Sequence, residues 1–300
     1  MDGDERTAGP LVLGASGFLG TALLERAGPR AVGVARAAGG PAGARADRGW
    51  RSLDVTVPGA LEDLLDELRP AAVVNAAALA RADVCEREPE GAARLNVELP
   101  RRLATWTAAH GARLVHVSTD LVFGGRPPRG ERYDEGDPPA PLHVYGRTKA
   151  AGEEAVLAAD PGALVARLPL LFGDSRGRGL GASDALLAAL ERGESPRLFD
   201  DEWRTPLDVD DAARALLELL ALERAGLLHV AGPERLSRFE LGHAVLDASP
   251  DRERRRERLV RASAAGAGLV PPRPSDVSLD ARVAAELLAT PLRAVRDALA

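Results

Sequence analysis

A glycine-rich turn near the start of the chain constrains the fold more than any other stretch. Leu11-Val12-Leu13 is a short apolar run, and Gly14, Gly17 and Gly20 follow it at every third position, where a helical apolar pattern begins. Such a turn brings backbone N–H groups and a helix N-terminus close to a diphosphate, and side chains at the glycine positions would block that approach. A plain strand-to-helix turn would explain an isolated triplet as well. Between a strand and a helix, the triplet predicts dinucleotide binding.

Apolar strands and helical patterns alternate after this turn. The further predicted strands are 31–34, 72–74, 114–117, 163–166 and 227–230. Segments with helical apolar spacing separate many of them, and these are 61–68, 89–110 and 145–159. Pro100 is expected to kink the second of these helices or to open a new segment. Because strands that are buried on both faces and joined by helices form parallel sheets, the pattern predicts an α/β fold with a doubly wound parallel sheet.

The alternation breaks beyond the middle of the chain, and this break predicts a second domain. We expect a dinucleotide-binding domain formed by residues 10–169 and 205–231. A smaller, mostly helical substrate-binding domain is expected from residues 170–204 and 232–300. Residues 1–9 are acidic and polar, with no apolar segment of signal-peptide type, and they are expected to form a flexible tail.

Charge and composition argue against several classes of function. The net charge of −6 argues against nucleic acid as a partner. The basic run 252–258 contains interleaved glutamates, which favours a solvated helix face over an anion-binding patch. No apolar run reaches the length of a membrane span, so no membrane partner is expected. The single Cys85 rules out an internal disulfide framework and suits a reducing cytoplasm, which is the expected location.

A second motif brings proton-transfer groups together. Ser118, Thr119 and Asp120 end an apolar run, and Tyr145 and Lys149 lie one helical turn apart further on. A phenol has an unperturbed pKa of about 10, and a nearby ammonium favours the phenolate and lowers that pKa. We therefore expect Tyr145 to exchange a proton with a carbonyl oxygen. Since neighbouring strand residues point to opposite faces, only one of Ser118 and Thr119 can reach a substrate.

In this order the motifs resemble those of the extended short-chain dehydrogenases/reductases, and within them the dTDP-4-dehydrorhamnose reductase group. The glycine spacing, the run Asn75-Ala76-Ala77-Ala78 and the set Thr119, Tyr145 and Lys149 resemble motifs of the whole superfamily. Three stretches resemble the reductase group, and they are 118–123, 204–211 and 230–233. The resemblance runs from Leu11 to Leu288 and implies an NAD(P)-binding Rossmann fold followed by a substrate domain.

The resemblance also implies roles for individual residues. It assigns catalysis to Thr119, Tyr145 and Lys149, and it selects Thr119 over Ser118. Asn96 would hold a water that relays protons to Lys149, unless it is an ordinary helix asparagine. Cofactor contacts are expected from Gly14, Ser16, Gly17, Phe18, Leu19, Gly20, Arg36, Asp54, Val55, Asn75, Ala76, Ala77, Ala78, Tyr145, Lys149, Pro169 and Leu170. Substrate contacts are expected from Thr119, Asp120, Val122, Phe123, Tyr145, Trp203 and Arg204.

The end of the second strand determines the expected cofactor. An acidic residue there binds a ribose 2′-hydroxyl, whereas a basic residue accommodates a 2′-phosphate. Arg36 follows the strand, and no Asp or Glu occurs before Asp47. We therefore expect NADPH, with NADH as the alternative. Asp54 resembles the family's adenine-binding aspartate, although the end of a strand would also explain it.

A charged stretch around Arg204 is the expected contact for a substrate diphosphate. The guanidinium fork suits a diphosphate, and Trp203 is expected near a base or a sugar. In several extended-family members an arginine near this point contacts the nucleotide diphosphate. The alternative is a surface arginine that pairs with nearby acids. Asp208, Asp210 and Asp211 are expected to cap a helix, and no metal site is expected.

The sequence therefore predicts an NADPH-dependent reductase of a nucleotide-linked 4-keto sugar, with hydride transfer to C4 and Tyr145 as the proton donor. A dehydratase is disfavoured, because Leu121 stands where relatives that dehydrate carry Glu after Thr-Asp. A nucleotide-sugar epimerase is one alternative, although epimerases usually have an acid where this chain has Arg36.

A non-catalytic NADP-binding regulatory subunit is the other alternative, because one relative regulates methionine adenosyltransferase in this way. The stretch 167–173 lacks the Trp that many rhamnose-pathway reductases place there, so the sugar pocket is expected to differ. A homodimer is compatible with the sequence.

Overall fold

The computed structural model describes most of the chain, and the described residues are 9–36, 49–127, 130, 132–249 and 252–300. The flexible tail predicted for residues 1–9 lies outside this part except for Gly9, and so does Asp47. Among the described residues, no helix is both long enough and apolar enough to cross a membrane.

The strands are short and are numbered in chain order. They are β1 (Leu11–Leu13), β2 (Val32–Ala35), β3 (Gly49–Ser52), β4 (Ala72–Asn75), β5 (Arg113–Thr119), β6 (Leu164–Leu168), β7 (Leu171–Phe172), β8 (Arg197–Phe199), β9 (Trp203–Arg204), β10 (Leu207–Asp208), β11 (Gly226–His229), β12 (Leu236–Ser237) and β13 (Val260–Ala262). The central sheet has the order β11-β6-β5-β4-β1-β2-β3. All of its neighbouring strands are parallel, which confirms the predicted doubly wound sheet.

The helices connect these strands. They are α1 (Phe18–Ala27), α2 (Ala60–Leu68), α3 (Ala82–Arg87), α4 (Pro89–Ala93), α5 (Leu99–His110), α6 (Val144–Ala159), α7 (Gly181–Glu191), α8 (Val209–Leu220), α9 (Arg238–Asp247), α10 (Arg252–Arg256), α11 (Arg282–Leu287) and α12 (Val295–Leu299). A π-helical turn, Arg94–Glu98, joins α4 to α5, and a 3₁₀ turn, Asp120–Val122, follows β5. The predicted segment 89–110 is therefore divided, and Pro100 lies in the first turn of α5.

The sheet is buried on both faces, as its apolar strands require. Val12 of β1 packs in a core with Leu23 of α1 and Leu216 of α8. Its neighbours along the strand, Leu11 and Leu13, face the other core, which includes residues of α2 and α5. Strand β1 lies between β2 and β4, so the chain leaves it towards one edge and later returns to the other side. In such sheets ligands bind beyond the carboxyl ends of the strands at this switch point.

A separate apolar core lies among elements that follow β6. Phe172 packs there with Leu186 of α7 and with Leu241 and Val245 of α9. The sequence pattern does not predict the short pairs β8–β13 and β9–β12, because strands of two or three residues show no measurable periodicity. The domain boundaries stay a prediction, and a core of this kind is what a second domain requires.

Candidate active site

The glycine-rich turn lies at the switch point, where β1 ends. Gly14 has a φ of +77°, and a Cβ on it would lie 2.6 Å from the backbone nitrogen of Ala77. A Cβ on Gly20 would lie 2.1 Å from the carbonyl oxygen of Gly14. Gly17 is exposed and caps α1 without a side-chain hydrogen bond. The glycines therefore allow close packing of the turn and leave the helix N-terminus open to an anion.

The segment between β7 and α7 lies against this turn. Arg178 Nη1 donates to the carbonyl oxygen of Ser16 at 2.9 Å. The Phe18 ring lies beside Gly181, where a Cβ would be 2.5 Å from the ring. Leu19 is buried in the core, so only its backbone can face a ligand. Arg178 was not indicated by the sequence, because no motif marks an arginine that reaches the turn from so far along the chain.

A basic and an acidic residue follow β2 and β3, the two strands nearest one edge of the sheet. Arg36 is exposed and follows β2 directly. Asp54 Oδ1 accepts hydrogen bonds from Thr56 Oγ1 at 2.6 Å and from Thr56 N at 2.9 Å. These two bonds, with a smaller contribution from Arg36, hold the pKa of Asp54 below its ordinary value. The backbone carbonyl oxygen of Val55, the residue after Asp54, accepts a hydrogen bond from Arg102 at 3.0 Å.

Asn75 ends β4, and Ala76, Ala77 and Ala78 follow it, half-buried. The Asn75 side chain is buried and accepts a bond at Oδ1 from the backbone of Ala77 at 3.1 Å. This bond turns the chain at the carboxyl end of β4, next to Gly14. The predicted alanine run thus lies beside the glycine turn.

Thr119 and Tyr145 line one cavity of about 560 Å³. Thr119 ends β5, and its hydroxyl donates to Asp120 Oδ1 at 3.1 Å. Ser118, in contrast, donates to Glu153 in the interior. Strand alternation thus places Thr119 at the cavity and Ser118 away from it. Pro169 and Leu170 line the same cavity after β6.

The protonation states of Tyr145 and Lys149 are governed by burial. Burial raises the pKa of Tyr145 above its ordinary value, and a hydrogen bond with Thr119 opposes this only in part. Lys149 is 2 % exposed, and its Nζ donates to the carbonyl oxygen of Val117 at 2.7 Å. Burial lowers the pKa of Lys149 to about 8, and the charge of Glu153 opposes the shift. The sequence predicted that Lys149 lowers the pKa of Tyr145, but burial raises that pKa, Lys149 makes no opposing contribution to it, and the phenol stays protonated.

Asn96 lies in the π-helical turn, and its side chain is committed to protein partners. Its Oδ1 accepts from the backbone of Leu79 at 2.9 Å, and its Nδ2 donates to the Leu79 carbonyl at 3.1 Å. The same nitrogen donates to Thr148 Oγ1 at 3.0 Å. Both kinds of amide atom are thus in use, and the water-holding role of Asn96 stays a prediction. Asn96 acts as a positioning residue that ties the segment after β4 to α6.

Charged side chains line the same cavity as Thr119 and Tyr145. They are Asp83, Asp120, Glu202, Arg204, Arg238 and Arg273. Asp120 lies 3.6 Å from Arg204, and its Oδ2 has no hydrogen-bond partner among the described residues. Burial raises the pKa of Asp120 to about 6, against the opposing charge of Arg204. Burial also lowers the pKa of Arg238 to about 10.

Glu202 lies 3.6 Å from Arg273, and its Oε1 also has no hydrogen-bond partner within the described part of the chain. Three guanidinium groups and two incompletely bonded carboxylates therefore face one space, which suits a polar, negatively charged ligand. Sequence reasoning missed Arg238 and Arg273, because neither belongs to a motif and only the tertiary fold brings them to the cavity.

Two predicted substrate contacts lie in the core instead. Val122 and Phe123 have no exposed surface. The Phe123 ring stacks on Tyr133 with 4.0 Å between the ring centroids, and the Arg167 guanidinium lies 5.0 Å from the Phe123 ring centroid. The prediction that Val122 and Phe123 contact substrate is therefore corrected, because contact would require unpacking this cluster.

The prediction that Trp203 contacts substrate is also corrected. The guanidinium of Arg235 lies 4.1 Å from the centre of its ring, and Trp203 is not among the residues that line the cavity. Its neighbour on β9, Arg204, does line it. Because neighbouring strand residues point to opposite sides, the two side chains cannot both face the cavity.

Asp208, the last residue of β10, caps α8, and Asp210 and Asp211 lie in the first turn of that helix, as the sequence suggested. Asp208 accepts hydrogen bonds from the backbones of Asp210 and Asp211 at the start of α8. In the part of the chain that the structure describes, no group of three or more His, Cys, Asp or Glu side chains is arranged to hold a metal ion.

A doubly wound parallel sheet with a strand-end threonine, and with a tyrosine and a lysine one turn apart on the following helix, defines an extended short-chain dehydrogenase/reductase. The family model described as the RmlD substrate binding domain matches residues 10–300, and the chain belongs to this family.

Relatives of this chain include both a subunit of an adenosyltransferase and oxidoreductase-like proteins. The methionine adenosyltransferase 2 subunit beta of Pongo abelii is 33% identical over 259 residues, which cover 79% of this chain and 71% of the relative. The crystal structure of a hypothetical dTDP-4-dehydrorhamnose reductase from Sulfolobus tokodaii has a TM-score of 0.79 and 30% identity, over 95% of this chain and 96% of that one. The Bordetella bronchiseptica enzyme WbmG in complex with NAD has a TM-score of 0.75 and 26% identity, over 92% and 86%. The resemblance predicted from the motifs is confirmed.

Proposed function

We propose that the protein is a nicotinamide-dependent reductase of a nucleotide-linked 4-keto sugar. The observation that carries this proposal is the joint position of Thr119 and Tyr145 on a cavity that three arginines also line. Two hydroxyls suit a carbonyl oxygen, and guanidinium groups suit a diphosphate. The Sulfolobus tokodaii relative, described as a hypothetical dTDP-4-dehydrorhamnose reductase, supports this class of substrate.

NADPH is the proposed cofactor, with NADH as the alternative. The glycine turn offers an open helix N-terminus for the diphosphate, and the exposed Arg36 after β2 suits a 2′-phosphate. WbmG, which is similar to this chain, binds NAD, and this supports a nicotinamide dinucleotide. Bound there, the dinucleotide would supply a hydride to the carbonyl carbon.

The residues of the cavity would carry out the proton transfer to the substrate. Tyr145 would donate it to the carbonyl oxygen, and its raised pKa keeps the phenol in the donor form at neutral pH. The Thr119 hydroxyl would orient the same oxygen. Lys149, one turn further along α6, would stabilise the phenolate that remains after the transfer. Tyr145 is itself only 9 % exposed, so the transfer would take place largely shielded from water.

The charged side chains that line the cavity would hold the substrate. Arg204, Arg238 and Arg273 are the proposed contacts of the diphosphate. Asp120, whose Oδ2 has no partner among the described residues, is the proposed acceptor for a sugar hydroxyl.

NADPH oxidation over a panel of nucleotide-linked 4-keto sugars tests the function. Tyr145→Phe should lower kcat about 10²–10⁴-fold, because the proton donor is lost, while the affinity for NADPH stays close to that of the wild type. The chain has two tyrosines, so Tyr133→Phe is a matched control. Its hydroxyl accepts a bond from the backbone of Arg126, and its loss should leave turnover unchanged. Turnover that survives Tyr145→Phe undiminished would refute the mechanism.

A regulatory subunit is the second candidate, and the similarity to methionine adenosyltransferase 2 subunit beta favours it. This candidate expects tight NADPH binding and no oxidation of NADPH with any sugar in the panel. The reductase candidate expects oxidation with at least one of them. Measuring binding and turnover on the same preparation therefore separates the two.

A further inference from the structure

A buried histidine lies between Lys149 and the glycine turn, and the reaction proposed above does not use it. His116 on β5 has no exposed surface. Its Nε2 lies 3.3 Å from Lys149 Nζ, and its Nδ1 lies 3.0 Å from Asn75 Nδ2. Asn75 Oδ1 accepts in turn from the backbone N–H of Ala77 at 3.1 Å. These contacts form one chain from Lys149 to the backbone beside Gly14.

The direction of each hydrogen bond follows from the outer end of this chain. The Ala77 N–H can only donate, so the Asn75 oxygen faces it and the Asn75 amide hydrogens face His116. His116 Nδ1 must then accept, and the proton of the neutral imidazole is on Nε2. This Nε2–H points at Lys149 Nζ. A neutral amine can accept it, whereas an ammonium has three donors and no acceptor.

The groups around Lys149 do not provide another site that gains or loses a proton near neutral pH. Burial lowers the pKa of His116 well below its ordinary value, and the charge of Lys149 adds to this, so an imidazolium is disfavoured. Glu153 on the same helix is already paired with Arg167 at 2.7 Å. Tyr145 has a raised pKa and stays neutral. Lys149, with a pKa lowered to about 8, is the group of this set that changes charge near neutral pH.

We propose that His116 is a positioning residue that couples the protonation of Lys149 to the hydrogen-bond donor at Ala77. When the pair gains a proton, Lys149 becomes an ammonium and the single imidazole proton lies on Nδ1, so Nε2 accepts from Lys149. Nδ1–H then requires the Asn75 oxygen, and the amide turns over. The Ala77 N–H loses its acceptor and becomes available to a ligand oxygen at the glycine turn.

The close approach at the turn makes this coupling direct. A Cβ on Gly14 would lie 2.6 Å from the Ala77 nitrogen, so this backbone packs directly against the first glycine of the turn. By linkage, a phosphate ligand at the turn favours the ammonium form of Lys149, and the ammonium form strengthens binding of the ligand. The inference rests on the proposed function only in that the turn binds a dinucleotide.

Side-chain ¹⁵N NMR of the histidines shows which ring nitrogen of His116 carries the proton, and this test needs no ligand. The His116 signals are those that His116→Phe loses, or, if that variant does not fold, those with Overhauser contacts to Lys149. We expect the Nε2–H tautomer at about pH 9.5 and the Nδ1–H tautomer at about pH 6.5. In Lys149→Met the Nε2–H tautomer should persist at both values. A single tautomer in the wild type at both values, or an imidazolium, would overturn the proposal.

Calorimetry with ADP tests the linkage, because ADP lacks the second ribose and cannot reach Lys149. The wild type should bind ADP about fivefold or more tightly at about pH 7 than at about pH 9.5, with proton uptake in buffers of different ionisation enthalpy. Lys149→Met and His116→Phe should lose this pH dependence. An unchanged dependence in Lys149→Met would contradict the coupling. Failure to bind either ADP or NADPH would refute the proposed cofactor site instead. The NMR result would still decide whether the His116 tautomer changes with the protonation of Lys149.

Discussion

Lys149 is buried without a carboxylate of its own. Glu153, the next acidic residue on the inner face of α6, is paired with Arg167, and both side chains are almost completely buried. The Lys149 ammonium therefore has only neutral partners, the Val117 carbonyl and the His116 ring. A charge that is desolvated in this way destabilises the fold, which is a cost that functional sites commonly carry.

Replacing this lysine should stabilise the protein. Lys149→Met should raise the free energy of unfolding by about 1–3 kcal/mol at neutral pH, because the cost of burying the charge disappears. The pKa of Lys149 is about 8 in the folded state and 10.5 ordinarily, so the unfolded chain binds the proton more tightly. Wild-type stability should therefore rise with pH from about 8 to about 10.5, and the advantage of the variant should shrink across that window. Urea unfolding at several pH values measures both; an advantage that is constant with pH would contradict this account.

At the scale of elements, α6 approaches the π-helical turn very closely. A Cβ on Gly152 would lie 2.1 Å from the carbonyl oxygen of Asn96. Such close packing keeps the Asn96 amide within reach of Leu79 and Thr148. Because Tyr145 and Lys149 are carried by the same helix, this contact also sets their position relative to β5.

Gly152→Ala should therefore destabilise the protein by about 2 kcal/mol or more, because the added methyl group overpacks the contact. Helix propensity alone predicts the opposite, since Ala is favoured over Gly by about 1 kcal/mol. The exposed neighbour Ala151→Gly is the matched control, and it should cost only about 1 kcal/mol without loss of turnover. Thermal unfolding and kcat measured together decide the matter. A stabilised Gly152→Ala with full activity would show that the helix does not depend on this contact.

At the scale of the whole molecule, the segment after α11 returns to α8 and bonds to its side chains. Arg293 Nε lies 2.9 Å from Asp211, whose side chain has no exposed surface. Glu218 accepts hydrogen bonds from the backbones of Ala289 and Thr290 at 2.6 and 2.9 Å. The segment after α11 is thus fastened to a helix of the central sheet.

Arg293→Met should lower the free energy of unfolding by about 1–3 kcal/mol, because it leaves a buried carboxylate with one fewer partner. Arg282→Met is the matched control. That arginine is 84 % exposed in its pair with Asp280, and its loss should change stability by less than about 0.5 kcal/mol. Urea unfolding of the two variants is the measurement. Equal effects would mean that Arg293 contributes no more than a surface ion pair.

Much of the site could be predicted from sequence where a motif is local. The glycine turn, the strand-end Thr119 and the pair Tyr145 and Lys149 depend on spacing within one strand or one helix, and spacing is visible in the sequence. Arg238 and Arg273 could not be predicted, because they reach the cavity from separate segments. Trp203 was placed incorrectly, because two-residue strands give no pattern from which to tell which side chain faces inward.

By itself the sequence determined the parallel α/β class, the order of the strands along the chain and the position of the glycine turn, because apolar periodicity and glycine spacing are local properties. Only the tertiary structure decided the protonation states and the partners. Burial raises the pKa of Tyr145 and lowers that of Lys149. The chain from Lys149 through His116 to Asn75 forms across α6, β5 and β4. Desolvation and contacts between distant segments exist only after folding, so the charges of Tyr145 and Lys149 are properties of the fold.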